Sequence, residues 1–155
     1  MKTISHCVEN TLTIGKAIGR RLDPGAIILL EGGLGTGKTV LAKGIAMGLG
    51  IKKEKVCSPT FVIMRVHKGR LDLYHFDLYR LQVPRDILNL GYEEYFYADG
   101  AVVIEWPERL KYLLPKEFLK INLSLAGKSK RCLHFKASGA RHKKVLEGIY
   151  ENIKY

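Results

Sequence analysis

AIILLEGGLGTGKTVLAKGIAMGL, residues 26–49, reads as strand, loop and helix in immediate succession. Ala26 to Leu30 is a short apolar run of the kind that forms a strand buried on both faces. Gly32 to Thr39, GGLGTGKT, has the form G-x-x-x-x-G-K-[ST] of a phosphate loop. Val40, Leu41, Ala42, Ile45, Ala46, Met47 and Leu49 then continue as a helix. The residue types follow from the task. Several main-chain N–H groups must converge on one phosphate, and Gly32, Gly35 and Gly37 permit the tight turn without Cβ atoms in the way. The unpaired N–H groups and positive dipole end of the helix favour an anion there. Lys38 can reach the outer phosphates, and the Thr39 hydroxyl can hold Mg²⁺. A glycine-rich turn with no ligand is the alternative, and the strand–loop–helix context argues against it.

Upstream, Glu9 to Leu22 carries a helical stripe (Leu12, Ile14, Ala17, Ile18, Leu22), with Asn10 or Thr11 as its expected cap and Asp23-Pro24-Gly25 as its end. Downstream, Gly50 closes the second helix. Phe61 to Val66 is a β-branched run, Lys68-Gly69 a turn, and Leu71 to Tyr79 the returning strand. Side chains alternate along a strand, so Leu71, Leu73, His75, Asp77 and Tyr79 share one face while Tyr74, Phe76 and Leu78 share the other. His75 is then either a satisfied core histidine or part of a site. Asp77 is either a strand-end cap or salt-bridge partner of Arg80, or a catalytic acid. Gln82 to Asn89 reads as irregular, because Pro84 bars a strand centre. Leu90 to Tyr97 reads as a short helix whose aromatics pack.

Ala101 to Glu105, AVVIE, is a second buried strand ending in one acid, the form of a Walker B strand. In a parallel sheet ligands bind outside the carboxyl ends of the strands, so Glu105 is expected beside the phosphate loop, where a carboxylate holds Mg²⁺ directly or through water; the alternative is an N-cap-like acid for the turn Trp106-Pro107-Glu108. Trp106 is either core or site wall, and Pro107 opens a short helix. Glu117 to Ala126 and Arg131 to Ala137 read as two strands joined at Gly127-Lys128-Ser129, and Ser138 to Ile153 as a closing helix. Lys130 or Arg131, next to that turn, is a candidate nucleotide contact.

The 155 residues are read as one domain with enough chain for a real core. No apolar run approaches the length of a membrane span, and the N-terminus lacks the apolar centre of a signal peptide, so a soluble cytoplasmic protein with no membrane role is expected. Cys7, Cys57 and Cys132 are widely spaced and read as free thiols. The net charge of +11 fits an acidic partner, a nucleic acid or an acidic protein. It is uneven: after Leu110 the only acids are Glu117, Glu147 and Glu151.

A phosphate loop implies a nucleoside triphosphate and Mg²⁺. No N-K-x-D element for guanine occurs, so ATP is favoured. Phosphoryl transfer rests on positioning and charge neutralisation. Lys38, Mg²⁺ held by Thr39 and Glu105, and one acid to orient water would suffice. Asp77 is the candidate acid, and Thr60, after Ser58-Pro59, is the candidate for closing on the γ-phosphate or metal.

GGLGTGKT, VCSPTF, HFDLYRL and IEWPERL, in that order, together resemble the TsaE family, bacterial ATPases of tRNA threonylcarbamoyladenosine synthesis. The likeness runs from about Thr11 to Arg131. It implies an α/β fold, a small P-loop NTPase-like domain with a mixed parallel and antiparallel sheet flanked by helices. It implies action with TsaB and TsaD, which modify ANN-decoding tRNAs, and not transfer of the threonylcarbamoyl group by this chain itself. By matching position, Gly35, Thr36, Gly37, Lys38, Thr39 and Val40 would wrap the phosphates, and Thr39 and Glu105 would ligate Mg²⁺. Asp77 would serve hydrolysis and Thr60 a switch-like loop. Thr11 would lie near the adenine, and Lys130 or Arg131 would make a later nucleotide contact. Gly33 departs from the family's usual Asp, and the basic C-terminal region matches no motif of it. Two other readings stand beside this one: an ATP-gated binding subunit with incidental hydrolysis, and a small-molecule kinase.

Overall fold

The computed structural model describes residues 1–57 and 62–151. Seven strands form one sheet: β1 (Lys2–Ser5), β2 (Ile27–Glu31), β3 (Met64–His67), β4 (Leu73–Asp77), β5 (Ala101–Glu105), β6 (Phe118–Leu125) and β7 (Arg131–Ser138). Their order across the sheet is β1-β7-β6-β2-β5-β4-β3. The four central strands, β6, β2, β5 and β4, are parallel, while β7, β1 and β3 add antiparallel edges. The expected mixed α/β sheet flanked by helices is therefore what the chain builds.

The helices are α1 (Val8–Gly19), α2 (Lys38–Gly48), α3 (Pro84–Leu88), α4 (Glu93–Phe96) and α5 (Ala140–Tyr150), with 3₁₀ turns at Lys53–Lys55 and Pro107–Leu113. They divide the core in two. On one face of the sheet Ile14, Ile18, Leu41, Ile45, Val145 and Ile149 from α1, α2 and α5 pack on Ile28, Leu30, Leu73, Val103, Ile121 and Phe135. On the other, Ile87, Tyr92, Phe96 and Leu110 pack on Ile27, Leu29, Phe76, Val102 and Ile104. The alternation read along β4 holds: Leu73 belongs to the first core, and Phe76 and Leu78 to the second.

Several local expectations change. β1 was not foreseen; it is four residues long and completes the sheet by pairing with β7. Neither Asn10 nor Thr11 caps α1. Its N-cap is Cys7, in extended backbone with no side-chain cap. Asn10 Oδ1 instead accepts from the His6 N–H at 3.1 Å, and Thr11 sits one turn inside the helix. The segment read as irregular after Gln82 contains α3, because Pro84 at the first helical position is pre-set for a helix rather than merely unfit for a strand. The helix expected over Leu90 to Tyr97 shrinks to the single turn of α4. Gly50 does close α2, at φ 81°, with Gly50 N–H and Ile51 N–H bonded back to Met47 and Ala46.

His142 on α5 ties that helix to the sheet: its Nε2 accepts the Ile27 N–H at 3.0 Å in a buried setting. Burial holds its pKa below the ordinary value, outweighing the backbone hydrogen bond at Ser138. His67 is depressed for the same first reason. A histidine whose folded pKa is lowered stabilises the fold fully above the unfolded value near 6.5, and that contribution drains as pH falls below it. We expect the melting temperature to drop between pH 7 and pH 5. His142→Gln, whose carbonyl oxygen can still accept from Ile27, should flatten that slope by a few degrees. An identical slope in the variant would remove His142 as a cause.

Candidate nucleotide site

The register of the parallel strands brings the site together. Leu30 stands opposite Glu105 on β5, and Asp77 at the end of β4 stands opposite Glu105 from the other side. Register partners on parallel strands share a face, so both carboxylates emerge at the sheet's carboxyl edge, where the loop after β2 also turns. Gly32, Gly35 and Gly37 have φ of 141°, 75° and 102°, in the left-handed region that a side chain resists. Gly37 is the N-cap of α2 and offers no capping side chain, so the amide end of an eleven-residue helix faces outward unsealed.

These residues line a cleft of about 370 Å³. Its walls include Thr11, Gly35, Gly37, Lys38, Thr39, Val40, Asp77, Glu105 and Arg131. Thr36 does not line it; its hydroxyl donates to the Gly33 carbonyl at 2.8 Å and shapes the loop from within. Lys130 does not line it either, whereas Arg131 does. Thr60 lies outside the described residues.

Glu105 is the electrostatic centre. It is 2% exposed. Thr39 Oγ1 lies 3.1 and 3.2 Å from its two carboxylate oxygens, and His75 Nε2 lies 2.8 Å from Oε1. A carboxylate only accepts, so both partners donate. His75 is thus a buried histidine whose Nε2 is held by a site residue while its Nδ1 has no hydrogen-bond partner, so it is part of the site rather than a fully satisfied core histidine. Glu105 is no helix cap: the N-cap of the following turn is Trp106, without a side-chain cap.

Asp77 is 3% exposed, and its Oδ1 accepts the Tyr79 N–H at 3.0 Å. That is an Asx turn, so the capping reading is correct and coexists with a place in the cleft. Lys38 Nζ donates to the carbonyl oxygens of Gly32 and Gly33 at 2.5 and 2.8 Å and sits 4.0 Å from the Trp106 ring centroid. Desolvation pushes its pKa down, and the charges of Glu105, Glu108 and Asp77 pull it back up. Thr11 reaches the cleft, but its hydroxyl is engaged locally, 2.6 Å from Ser5 Oγ and 3.2 Å from the Cys7 carbonyl.

Four wall residues escaped the sequence reading or were left undecided by it: Val8, Leu34, Tyr79 and Trp106. Leu34, at the loop's tip, is 72% exposed, and Val8 is 52% exposed. The Tyr79 and Trp106 rings meet at 4.9 Å, and Trp106 adopts φ 61°, uncommon for a bulky residue. An apolar residue at a loop tip and an aromatic directly after the Walker B acid were the available signals.

The residues fit Mg·nucleotide chemistry. Among the described residues no three His, Cys, Asp or Glu side chains cluster to hold a metal by themselves. Mg²⁺ does not need such a cage, since it is ordinarily held through one or two oxygen side chains together with substrate phosphates and water. Thr39 and Glu105 are such a pair, beside a glycine loop whose left-handed turns a Cβ would strain. Gly33 is in ordinary backbone, and a Cβ there would meet only Thr36 Cγ2, at 4.0 Å. The side chain missing relative to the family's usual Asp would have room.

Comparison with known proteins agrees in fold and sequence. The family described as "Threonylcarbamoyl adenosine biosynthesis protein TsaE" matches residues 5–133. The tRNA threonylcarbamoyladenosine biosynthesis protein TsaE of Treponema pallidum is 40% identical over 131 residues, 84% of this chain and 96% of that protein. The protein of the same description from Bacillus subtilis is 39% identical over 148 residues, 94% and 92% of the two chains. The crystal structure of Bacillus subtilis YdiB superposes with a TM-score of 0.83 at 34% identity, covering 98% of this chain and 95% of that one.

Proposed function

Because the chain belongs to the TsaE family, we propose that its cleft binds Mg·ATP and hydrolyses it in support of tRNA threonylcarbamoyladenosine formation by TsaB and TsaD. The observation that carries the reading is the hydroxyl of Thr39 set against both oxygens of a buried Walker B carboxylate, with Lys38 and Asp77 beside them.

The chain's own groups divide the work. Main-chain amides from Gly35 to Val40, at the dipole end of α2, bind the phosphates. Lys38 exchanges its loop carbonyls for phosphate oxygens, gaining a charged partner for a desolvated ammonium. Thr39 and Glu105 hold Mg²⁺, which when bound neutralises charge on the phosphate oxygens. Asp77 orients the attacking water and takes its proton. Thr60, outside the described residues, would serve the γ-phosphate or the metal. Thr11 and Arg131 flank the nucleoside end, and Trp106 with Tyr79 forms the wall that excludes water from Lys38. Among the described residues no helix is long and apolar enough to cross a membrane.

Two other readings yield different results in one assay. In the kinase reading the γ-phosphate ends on a metabolite. Against it, Arg70, one of the few arginines between the loop and Glu105, is spent on the carbonyls of Gly19 and Leu22 at 3.0 Å, closing the end of α1. In the binding-module reading ATP occupancy alone sets partner affinity. Phosphate release should be measured with Mg·ATP alone and with TsaB–TsaD. The expected result is Mg²⁺-dependent release that the partners raise. No release in either case overturns the reading, as does transfer of phosphate to a small molecule instead of water.

A further inference from the structure

The helices cover only part of the sheet. On the side of α3 and α4, packed side chains cover β2, β5 and β4 and reach the start of β6 through Phe118. Beyond it the same face of β6, β7 and β1 is open: Asn122, Ser124, His134 and Lys136 are exposed, as are Lys2 and Ile4. The register sets these residues in rows. Lys2 and Asn122 flank His134, Ile4 and Ser124 flank Cys132, and Lys136 stands beside Lys120.

The chemistry of this face is one-sided. Its one acid among the described residues, Glu31 at the end of β2, is bound by Lys120 Nζ at 2.9 Å and reached by Asn122 Nδ2 at 3.5 Å. Lys2 and Lys136 keep their charge for an outside partner, and Asn122, Ser124 and His134 add neutral donors. Protein interfaces have the opposite composition at their centres: aromatic, Met and Arg side chains are enriched there and Lys is depleted. Among the described residues this face has no aromatic and no arginine, and Ile4 is its one exposed aliphatic. A flat, lysine-bearing, donor-rich surface matches a sugar–phosphate backbone, where cations meet phosphate oxygens and amides or hydroxyls meet ribose.

We infer that the open β1-β7-β6 face is an RNA-docking surface that grips the backbone of tRNA through Lys2, Lys136 and the donors between them. The inference rests on the proposed role in tRNA modification but uses none of the nucleotide-site residues. ATP and RNA then occupy different parts of the molecule, the cleft at the carboxyl edge of the sheet and the uncovered half of its surface.

The test compares two charge reversals of equal size. Lys2→Glu/Lys136→Glu alters the face; Lys143→Glu/Lys144→Glu alters exposed positions on α5. Binding of a labelled, unmodified tRNA transcript is followed by anisotropy as KCl is raised, and phosphate release from Mg·ATP is measured on the same samples. The face variant should bind about tenfold or more weakly, and its salt slope should fall by roughly 1.5 for two lost phosphate contacts. The α5 variant should stay within about threefold of the parent, and both should hydrolyse ATP as the parent does. Equal losses in the two variants overturn the inference, since diffuse charge then suffices. So does a parent protein that does not bind the transcript, or competition by poly-glutamate as strong as by unlabelled tRNA, which would make the face an acidic-protein site. Absent ATP hydrolysis alongside a face-specific loss of RNA binding would sink the ATPase reading and leave this one standing.

Discussion

Asp77→Asn is expected to lower ATP turnover by about a thousandfold, within the range for losing a positioned general base, while leaving nucleotide affinity unchanged or slightly tighter. Asparagine is nearly isosteric and keeps an oxygen to accept the Tyr79 N–H, now 3.0 Å from Asp77 Oδ1. The strand end should therefore hold its shape while the change removes charge and basicity. Affinity should not suffer, because a carboxylate in the cleft repels a triphosphate and its loss relieves that repulsion. Asp77→Ala loses the Asx turn as well, so a larger defect in Ala than in Asn measures the structural share. The readouts are phosphate release at saturating Mg·ATP and the dissociation constant of a fluorescent ATP analogue. Turnover unchanged in the Asn variant would take Asp77 out of the chemistry. Turnover and affinity lost together would recast it as a nucleotide or metal contact. If the Asn variant also sustains repeated rounds of tRNA modification with TsaB–TsaD, occupancy is the working signal and hydrolysis is incidental.

The parts of this site that were legible in the sequence are those fixed by local rules. The loop from Gly32 to Thr39 declares itself because the phosphate-loop pattern restricts both residue type and spacing. β5 does so because a strand buried on both faces reads as an unbroken apolar run, and its terminal acid has one edge to emerge from. The shared face of His75 and Asp77 followed from the two-residue period of β4. What escaped depends on partners distant in sequence. Nothing within Lys2–Ser5 announces a strand; it exists because β7 offers an edge. The alternation of β6 pointed to a hairpin with β7, which is present, and gave no sign of its parallel pairing with β2. Thr11 looked like a cap from its neighbours, but the Ser5 hydroxyl and the Cys7 carbonyl supply its partners within a turn. The helical stripe of α1 was plain, whereas the reason for its glycines was not.

Those glycines carry the second large effect: Gly15→Ala and Gly44→Ala should each destabilise the protein by about 3 kcal/mol, at the upper end of the ordinary cost of overpacking. In an isolated helix either change would be favourable by up to about 1 kcal/mol, so the sign itself is the test. Gly15 and Gly19 on α1 face Gly44 and Gly48 on α2, with backbone against backbone. A Cβ on Gly15 would lie 2.6 Å from the Leu41 carbonyl oxygen and 2.8 Å from Gly44 Cα; one on Gly44 would lie 2.5 Å from the Leu12 oxygen. Backbone cannot swing aside as a side chain does, so the helices must separate, and the core around Ile18 and Ile45 opens with them. The pairing also bears on function. Residues 12 to 15 meet 41 to 44, and 16 to 20 meet 45 to 48, so the two helices run in parallel and their N-termini lie together. That is why Val8 and Thr11 reach the cleft whose floor is the start of α2. Thermal or urea unfolding reads the stability, and an effect near 3 kcal/mol lowers the melting temperature by roughly 6–12 °C in a chain of this size. Gly15→Ala/Gly44→Ala should cost clearly less than the sum of the single changes, because once the helices part the second methyl meets nothing new. Nucleotide affinity should weaken in every one of these variants that remains folded. Single variants as stable as the parent, or more so, would show that α1 and α2 do not meet this closely, and the placement of Val8 and Thr11 at the cleft would fall with that contact.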